Sequence, residues 1–436
     1  MKIVTALFRI LESRFFVPGC FTLFLVMRAF PVFFVPLEMH SDAAWYLNRA
    51  LSLAAGEGYS EGGQLTAYWP VGYPGFLGVL FYFFGKDQLI GQVANLVLAG
   101  ASFFLLMGLS RHIFRSEAAA RMALLLFALY PNNAAYTPLL LTEIFLTILL
   151  LLGVYIYITQ RGWLSVLVAG LVFGLATLTK PQVLFLPGFL VLLPVLGGAR
   201  RHEARKHLSR GVMVYAAMAA VLGPWAVRNT LVFGETVLIS TNGGATLLTG
   251  NNPSANGSYV EDDSLVAQRK FSVRDQVAAD RRAKELAIQW IKNNPRLFAG
   301  LIPLKIWQLW YKDGEAEWAY QAGYRNYERY RYLFRSVRVM NQIYYGLLML
   351  GFLLSVILLR KWGNIVAWPW VLFGYIYVLY ITLVSIVFSG QARFHFPAMP
   401  WIIMCAAWTS IMLLNTVCPK QAAQNVDRSP SGVQPG

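Results

Sequence analysis

The chain has 436 residues, 57% hydrophobic and 13% charged, with a net charge of +16 and a mean hydropathy of +0.51. A soluble domain carries about 25% charged residues, so this composition excludes a water-facing surface over most of the protein. Repeated apolar runs near the ~20 residues that cross a bilayer predict an all-α polytopic membrane protein. Lys and Arg cluster in short loops between those runs, the positive-inside pattern. No basic stripe on a soluble fold is present, so nucleic acid is not an expected partner and the excess charge is assigned to the cytoplasmic face and membrane lipids.

The first predicted span is Phe15–Val35, preceded by Lys2, Arg9 and Arg14, which stay in the cytoplasm. The polar, acidic segment Leu37–Pro74 is therefore outside, and within it Ala43–Ala55 has the apolar spacing of an interfacial helix. Val71–Phe84 covers about 14 residues, roughly 21 Å of helix against a ~30 Å core. A re-entrant or interfacial placement keeps Arg111, Arg115 and Arg121 in the cytoplasm, so that placement is preferred.

Leu89–Leu109, Ala118–Tyr130, Ile144–Ile158, Leu164–Leu178, Val183–Leu196 and Val212–Val227 continue the series. Pro131–Thr142 forms a second outer loop, and the basic loop Arg200–Arg210 marks the cytoplasmic side. From Arg228 to about Val339 the chain turns polar, with a Gly/Asn-rich stretch at Ser240–Tyr259 and a charged amphipathic helix over Ser264–Asn293. Ile343–Leu359, Ile365–Phe388 and Ala398–Val417 complete ten spans, or eleven if Leu297–Tyr311 crosses. This divides the chain into a membrane module (1–227, with outer loop 37–74), a periplasmic loop region (228–339), C-terminal membrane helices (340–417) and a disordered tail (418–436).

Candidate chemistry gathers at the outer boundary. Asp42, just past the first span, is either a general base or an N-cap for the following helix. Glu143 opens an apolar span, where a carboxylate serves function or the helix dipole. Lys180, Arg228 and Arg393 sit at outer span ends, where the positive-inside pattern does not put cations. Lys180 is a snorkelling lysine or a ligand for a lipid phosphate, and Arg offers such an anion a bidentate fork. Asn242 and Asn251, in the Gly/Asn stretch, line a phosphate or sugar nest or belong to a plain connector. Tyr68 belongs to the aromatic belt or stacks on a sugar ring. His395 reads as a structural or interfacial histidine rather than a ligand. Five scattered histidines and three cysteines, of which Cys20 and Cys405 lie in apolar spans, give no metal or disulfide framework.

Six stretches in order carry a resemblance: SDAAWY, WPVGYPGF, TEIF, GLATLTKP, PWAVRNTLVFG with ISTNGGATLLTGNNP, and ARFHFPAMP. Together they resemble GT-C class membrane glycosyltransferases, specifically the family 39-like group of protein O-mannosyltransferases and the aminoarabinose transferase. The resemblance covers the chain to about Val417. It implies an inverting glycosyltransferase in a bacterial inner membrane, with its site facing the periplasm. The donor it implies is a sugar on a polyprenyl phosphate, and the acceptor an envelope glycan, lipid or protein.

By the same resemblance Asp42 is the base, and Glu143, Lys180, Arg228 and Arg393 line one outer cavity. No cofactor is implied, and a divalent metal is left open. The acidic pair that follows the first span in some relatives is a single Asp42 here, with His40 two positions before it. The competing readings are a flippase or transporter of a lipid-linked saccharide, and a polymerase or ligase. No repeat of the kind that marks many transporters is visible.

Overall fold

The computed structural model describes residues 2–160, 162–198, 200–260, 275–362 and 366–417. Apolar runs in a bilayer must satisfy their own backbone groups, and the chain does this almost entirely with helices. Seven helices among the described residues are long and apolar enough to cross a membrane: Phe16–Phe34, Gln88–Phe114, Thr142–Thr159, Arg201–Phe233, Glu328–Trp362, Trp368–Val387 and Ala392–Thr416. Three shorter apolar helices, Gly72–Phe84, Trp163–Thr179 and Pro181–Leu196, pack among them. The protein is thus a multi-pass integral membrane protein. Its most enclosed helix is Met399–Val417, whose Ile402, Ile403, Ala407 and Trp408 are fully buried.

Small residues let the helices approach. Gly170 and Gly174 lie four apart on Trp163–Thr179; a Cβ on Gly170 would stand 2.6 Å from the Val214 carbonyl oxygen, and one on Gly174 2.8 Å from Val221 Cβ. This is the small-xxx-small contact that replaces a hydrophobic driving force in lipid. Gly72 brings the start of Gly72–Phe84 onto the end of the same helix, where a Cβ would lie 2.5 Å from Thr179 Oγ1. The WPVGYPGF and GLATLTKP stretches therefore meet directly.

Two expectations need correction. Arg200–Arg210 is no loop: Arg201–Phe233 is one helix of 33 residues. Its start is fixed by a capping box in which the Arg200 amide donates to Glu203 Oε2 at 3.0 Å. That helix also runs through the expected 227/228 division. The Gly/Asn stretch likewise contains a helix, Gly243–Gly250. Leu297–Tyr311 is found as the helix Pro295–Trp310, and the charged helix as Gln276–Asn293. The first part of the latter expectation and the tail 418–436 lie outside the described residues.

Candidate active site

The first outer loop is built as a helix and a hairpin. Ser41–Ala54 is helical, and Ser60–Glu61 pairs antiparallel with Gln64–Leu65 across Gly62 and Gly63, both at positive φ. A two-residue Gly-Gly turn matches strand twist, which explains the tight reversal. Trp45 Nε1 donates to Glu61 Oε1 at 3.2 Å, and Arg49 pairs with the same carboxylate at 3.5 Å, so the hairpin is clipped to the helix. Its base is held by Arg228, which donates to the Thr66 carbonyl at 2.8 Å and the Tyr59 carbonyl at 3.2 Å.

Asp42 lies in the first turn of its helix, but its carboxylate does not cap it; the N-cap position is His40, with no side-chain cap bond. Instead Asp42 Oδ2 accepts from Arg393 Nη2 at 2.6 Å. Arg393 Nε stands 3.8 Å from Glu143 Oε1. The side chains are 17% exposed for Asp42, 16% for Arg393 and 4% for Glu143, so the charges act on one another with little water between them. Ser41, immediately before Asp42, adopts φ +50°, a left-handed conformation that costs a non-glycine residue roughly 1–2 kcal/mol.

Lys180 joins this group at the joint between Trp163–Thr179 and the 3-10 turn Pro181–Phe185. Its Nζ is 5.9 Å from the Phe394 ring. Burial pushes its pKa down and Arg393 pushes it further, while Glu143 and Asp42 pull it back up. Two carboxylates and two cations from four distant chain segments are thus within electrostatic reach of one another. Tyr46 packs edge-on against Tyr73 at 5.9 Å and beside Trp69 at 5.3 Å.

A buried strut aims Arg393. The 3-10 segment Ala392–Ala398 carries both Arg393 and His395. The Arg393 amide donates to Glu315 Oε2 at 3.0 Å. His395, fully buried, stacks between Trp310 at 5.2 Å and Tyr345 at 5.3 Å, with Nε2 3.4 Å from Asp313 Oδ1. Asp313 also accepts from the Tyr130 hydroxyl at 2.8 Å, from Asn341 Nδ2 at 3.3 Å and from Asn132 Nδ2. His395 is structural, one of the two roles its sequence context indicates.

The other expected site residues stand apart from the Asp42 group. Arg228 is occupied with backbone carbonyls at the hairpin base. Asn251 is fully buried, its Nδ2 donating to the Leu247 and Val387 carbonyls and its Oδ1 accepting from Lys305 Nζ at 2.8 Å. These bonds tie the end of Gly243–Gly250 to Lys305 and the Val387 carbonyl. Asn242 Oδ1 accepts from Ser240 Oγ at 2.9 Å at the start of Gly243–Gly250. Tyr68 packs on Trp69 at 5.8 Å, one ring removed from Tyr46.

Sequence reading passed over Tyr46, Tyr136, Glu315 and Asp313. The KDGE run after a short apolar helix was the available signal for the last two. Among the described residues no three His, Cys, Asp or Glu gather as metal ligands. The Arg393 guanidinium stands where a cation shared by Asp42 and Glu143 would stand.

Residues 69–225 match the family model of dolichyl-phosphate-mannose-protein mannosyltransferase. The match covers less than half of the chain, so it is a likeness to that family over those residues. Glu143 and Lys180 fall inside the matched stretch of this mannosyltransferase family, Asp42 and Arg393 outside it. No curated protein matches the chain.

Among solved structures, it is similar to the Archaeoglobus fulgidus oligosaccharyltransferase in complex with zinc and sulfate, at 15% identity and TM-score 0.53, covering 95% of this chain and 50% of that one. The archaeal oligosaccharyltransferase AglB from the same organism, in complex with an inhibitory peptide and a dolichol phosphate, gives 11% identity and TM-score 0.54 over 97% and 53%. The chain thus spans about half the length of these two structures, and the likeness establishes a GT-C-type fold. ArnT from Cupriavidus metallidurans bound to undecaprenyl phosphate gives 14% identity over 94% and 80% at TM-score 0.40, too distant a superposition to argue from.

Proposed function

We propose that this protein is an inverting glycosyltransferase that moves a sugar from a polyprenyl-phosphate carrier to an acceptor hydroxyl at the outer face of a bacterial inner membrane. The observation that carries the reading is the contact of Asp42 with Arg393, with Glu143 and Lys180 within electrostatic reach. A base and two cations side by side are what a transfer from a phosphate leaving group requires. The family matched over 69–225 is described by a dolichyl-phosphate sugar donor, the same chemical class.

In this reaction Asp42 takes the proton from the acceptor hydroxyl. The acceptor oxygen forms a bond to the anomeric carbon from the face opposite the phosphate, and the bond from that carbon to the phosphate oxygen breaks. Its electron pair stays on the phosphate, which leaves as the polyprenyl monophosphate dianion. Arg393 and Lys180 meet that growing charge, and preorganised cations act most strongly where charge develops. Asp42 holds Nη2 of Arg393, and the Glu143 carboxylate lies 3.8 Å from its Nε. Tyr46, Tyr73 and Trp69 supply apolar faces for the sugar ring.

The test is to supply the purified protein in lipid nanodiscs with a polyprenyl-phosphate sugar and envelope extract. Formation of polyprenyl monophosphate together with a glycosylated acceptor of inverted anomeric configuration supports the reading. Movement of intact donor across a vesicle bilayer with no monophosphate released would replace it with a transporter.

A further inference from the structure

Two hydrogen-bond donors, the Tyr136 hydroxyl and Arg393 Nε, are buried without an acceptor. Tyr136 closes the short helix Pro131–Tyr136 and is 1% exposed. Its ring rests on Phe396 at 4.7 Å, and its hydroxyl has no partner. Arg393 Nε is equally enclosed and unpartnered, because 3.8 Å to Glu143 Oε1 is too long for a hydrogen bond.

The hydroxyl lies among the site's charges: burial raises its pKa well above that of an ordinary phenol, Glu143 and Glu315 add to this, and Arg393 opposes it. It is thus held as a neutral O–H donor. Nearby tyrosines are not left this way. Tyr73 donates to Asn95 Oδ1 at 3.2 Å, and Tyr320 to the Ala135 carbonyl at 2.8 Å. An unmet buried donor costs about 1–3 kcal/mol, and a phenylalanine would fill the same space without that cost. Bulk water does not reach either atom, so the acceptor is an ordered water or a bound group.

We propose that the Tyr136 hydroxyl and Arg393 Nε together receive one non-bridging phosphate oxygen of the polyprenyl-phosphate donor, which makes Tyr136 a donor-binding residue of the transferase site. The inference rests on the transferase reading above. Two donors, one of them charged, call for an acceptor-only oxyanion; a sugar hydroxyl brings a hydrogen of its own and fits less well. Arg393 then bridges base and leaving group, with Nη2 on Asp42 and Nε on the phosphate. Because the phosphate gains negative charge as the anomeric bond breaks, both hydrogen bonds strengthen toward the transition state.

The experiment is Tyr136→Phe, which removes one oxygen and keeps the ring on Phe396. The unliganded variant should melt at or slightly above the wild-type temperature, since an orphan polar group is gone. Its affinity for undecaprenyl phosphate should fall about tenfold, near 1.4 kcal/mol, while binding of undecaprenol, which lacks the phosphate, stays unchanged. Turnover at saturating donor should fall as well. Unchanged undecaprenyl phosphate binding and turnover, or equal losses for phosphate and alcohol, would overturn the assignment of Tyr136 alone. A wild-type protein that binds no polyprenyl phosphate would overturn the donor reading with it.

Discussion

Asp42 and Arg393 are 351 positions apart in the chain yet meet at 2.6 Å, and that contact dictates what each can do. The ion pair fixes the guanidinium against the carboxylate, which in the proposed reaction holds it beside the departing phosphate. Lysine at 393 would keep the charge but lose the fork that touches Asp42 and Glu143 at once. Arg393→Lys should therefore lower transfer at least ~10-fold, about 1.4 kcal/mol in barrier, with folding intact by size-exclusion profile; full activity would mean that one point charge suffices.

Ser41 gives a second handle, because its backbone is left-handed at φ +50°. Ser41→Gly should retain transfer. Ser41→Val, whose branched side chain resists that conformation, should lose both activity and about 1–2 kcal/mol of stability in a thermal melt. Asp42, Lys180 and Arg393 were conspicuous in the sequence as candidates because ionised residues at the ends of apolar runs are rare and costly. Tyr136 and Asp313 were not. Their meaning lies in partners brought from elsewhere in the chain, as when Tyr130 reaches Asp313 across 183 positions. Arg228 has a structural part that the sequence does not reveal, since it donates to the carbonyls of Thr66 and Tyr59.

Helix ends and helix crossings place these side chains. Lys180 follows Thr179, and Thr179 is the residue that Gly72 touches, so one close approach sets where Lys180 leaves its helix. A side chain at Gly72 meets Thr179 Oγ1 at 2.5 Å and the Thr179 amide at 2.6 Å. Gly72→Ala should thus shift the Lys180 turn and raise the donor KM several-fold, at an overpacking cost of about 1–3 kcal/mol in stability. Gly72→Ala kinetics matching wild type would show that the turn adapts freely. Gly174→Leu, against Val221 and Met218 on Arg201–Phe233, should act differently, lowering folded yield without a selective KM effect.

The apolar runs announced these helices, since period and length are local properties. The charged start of Arg201–Phe233 escaped because Arg, Lys, Glu and Ala are good helix formers and also good loop markers. The hairpin at Ser60–Leu65 escaped because two-residue strands have no readable period.

At the scale of the whole molecule, the described residues include seven helices long and apolar enough to cross a membrane and three shorter apolar ones. The helix Arg201–Phe233, at 33 residues, is about 50 Å long, well beyond a ~30 Å core, so its basic first turns stand clear of the bilayer. The proposed function puts that end in the cytoplasm and the Asp42 group on the opposite side. A single cysteine at Glu57 should react with an impermeant maleimide from outside intact spheroplasts, and one at Lys206 only after lysis; the reverse pattern would place the Asp42 group in the cytoplasm.

The most direct measurement compares Asp42→Asn with the wild type for two quantities, polyprenyl phosphate affinity and turnover of a polyprenyl-phosphate sugar. Asparagine no longer competes for Arg393 as an anion, so affinity should hold or tighten. Turnover should drop by the ~10²–10⁴ that a lost general base removes. Turnover close to wild type, with the phosphate still bound, would contradict the assignment of proton transfer to Asp42.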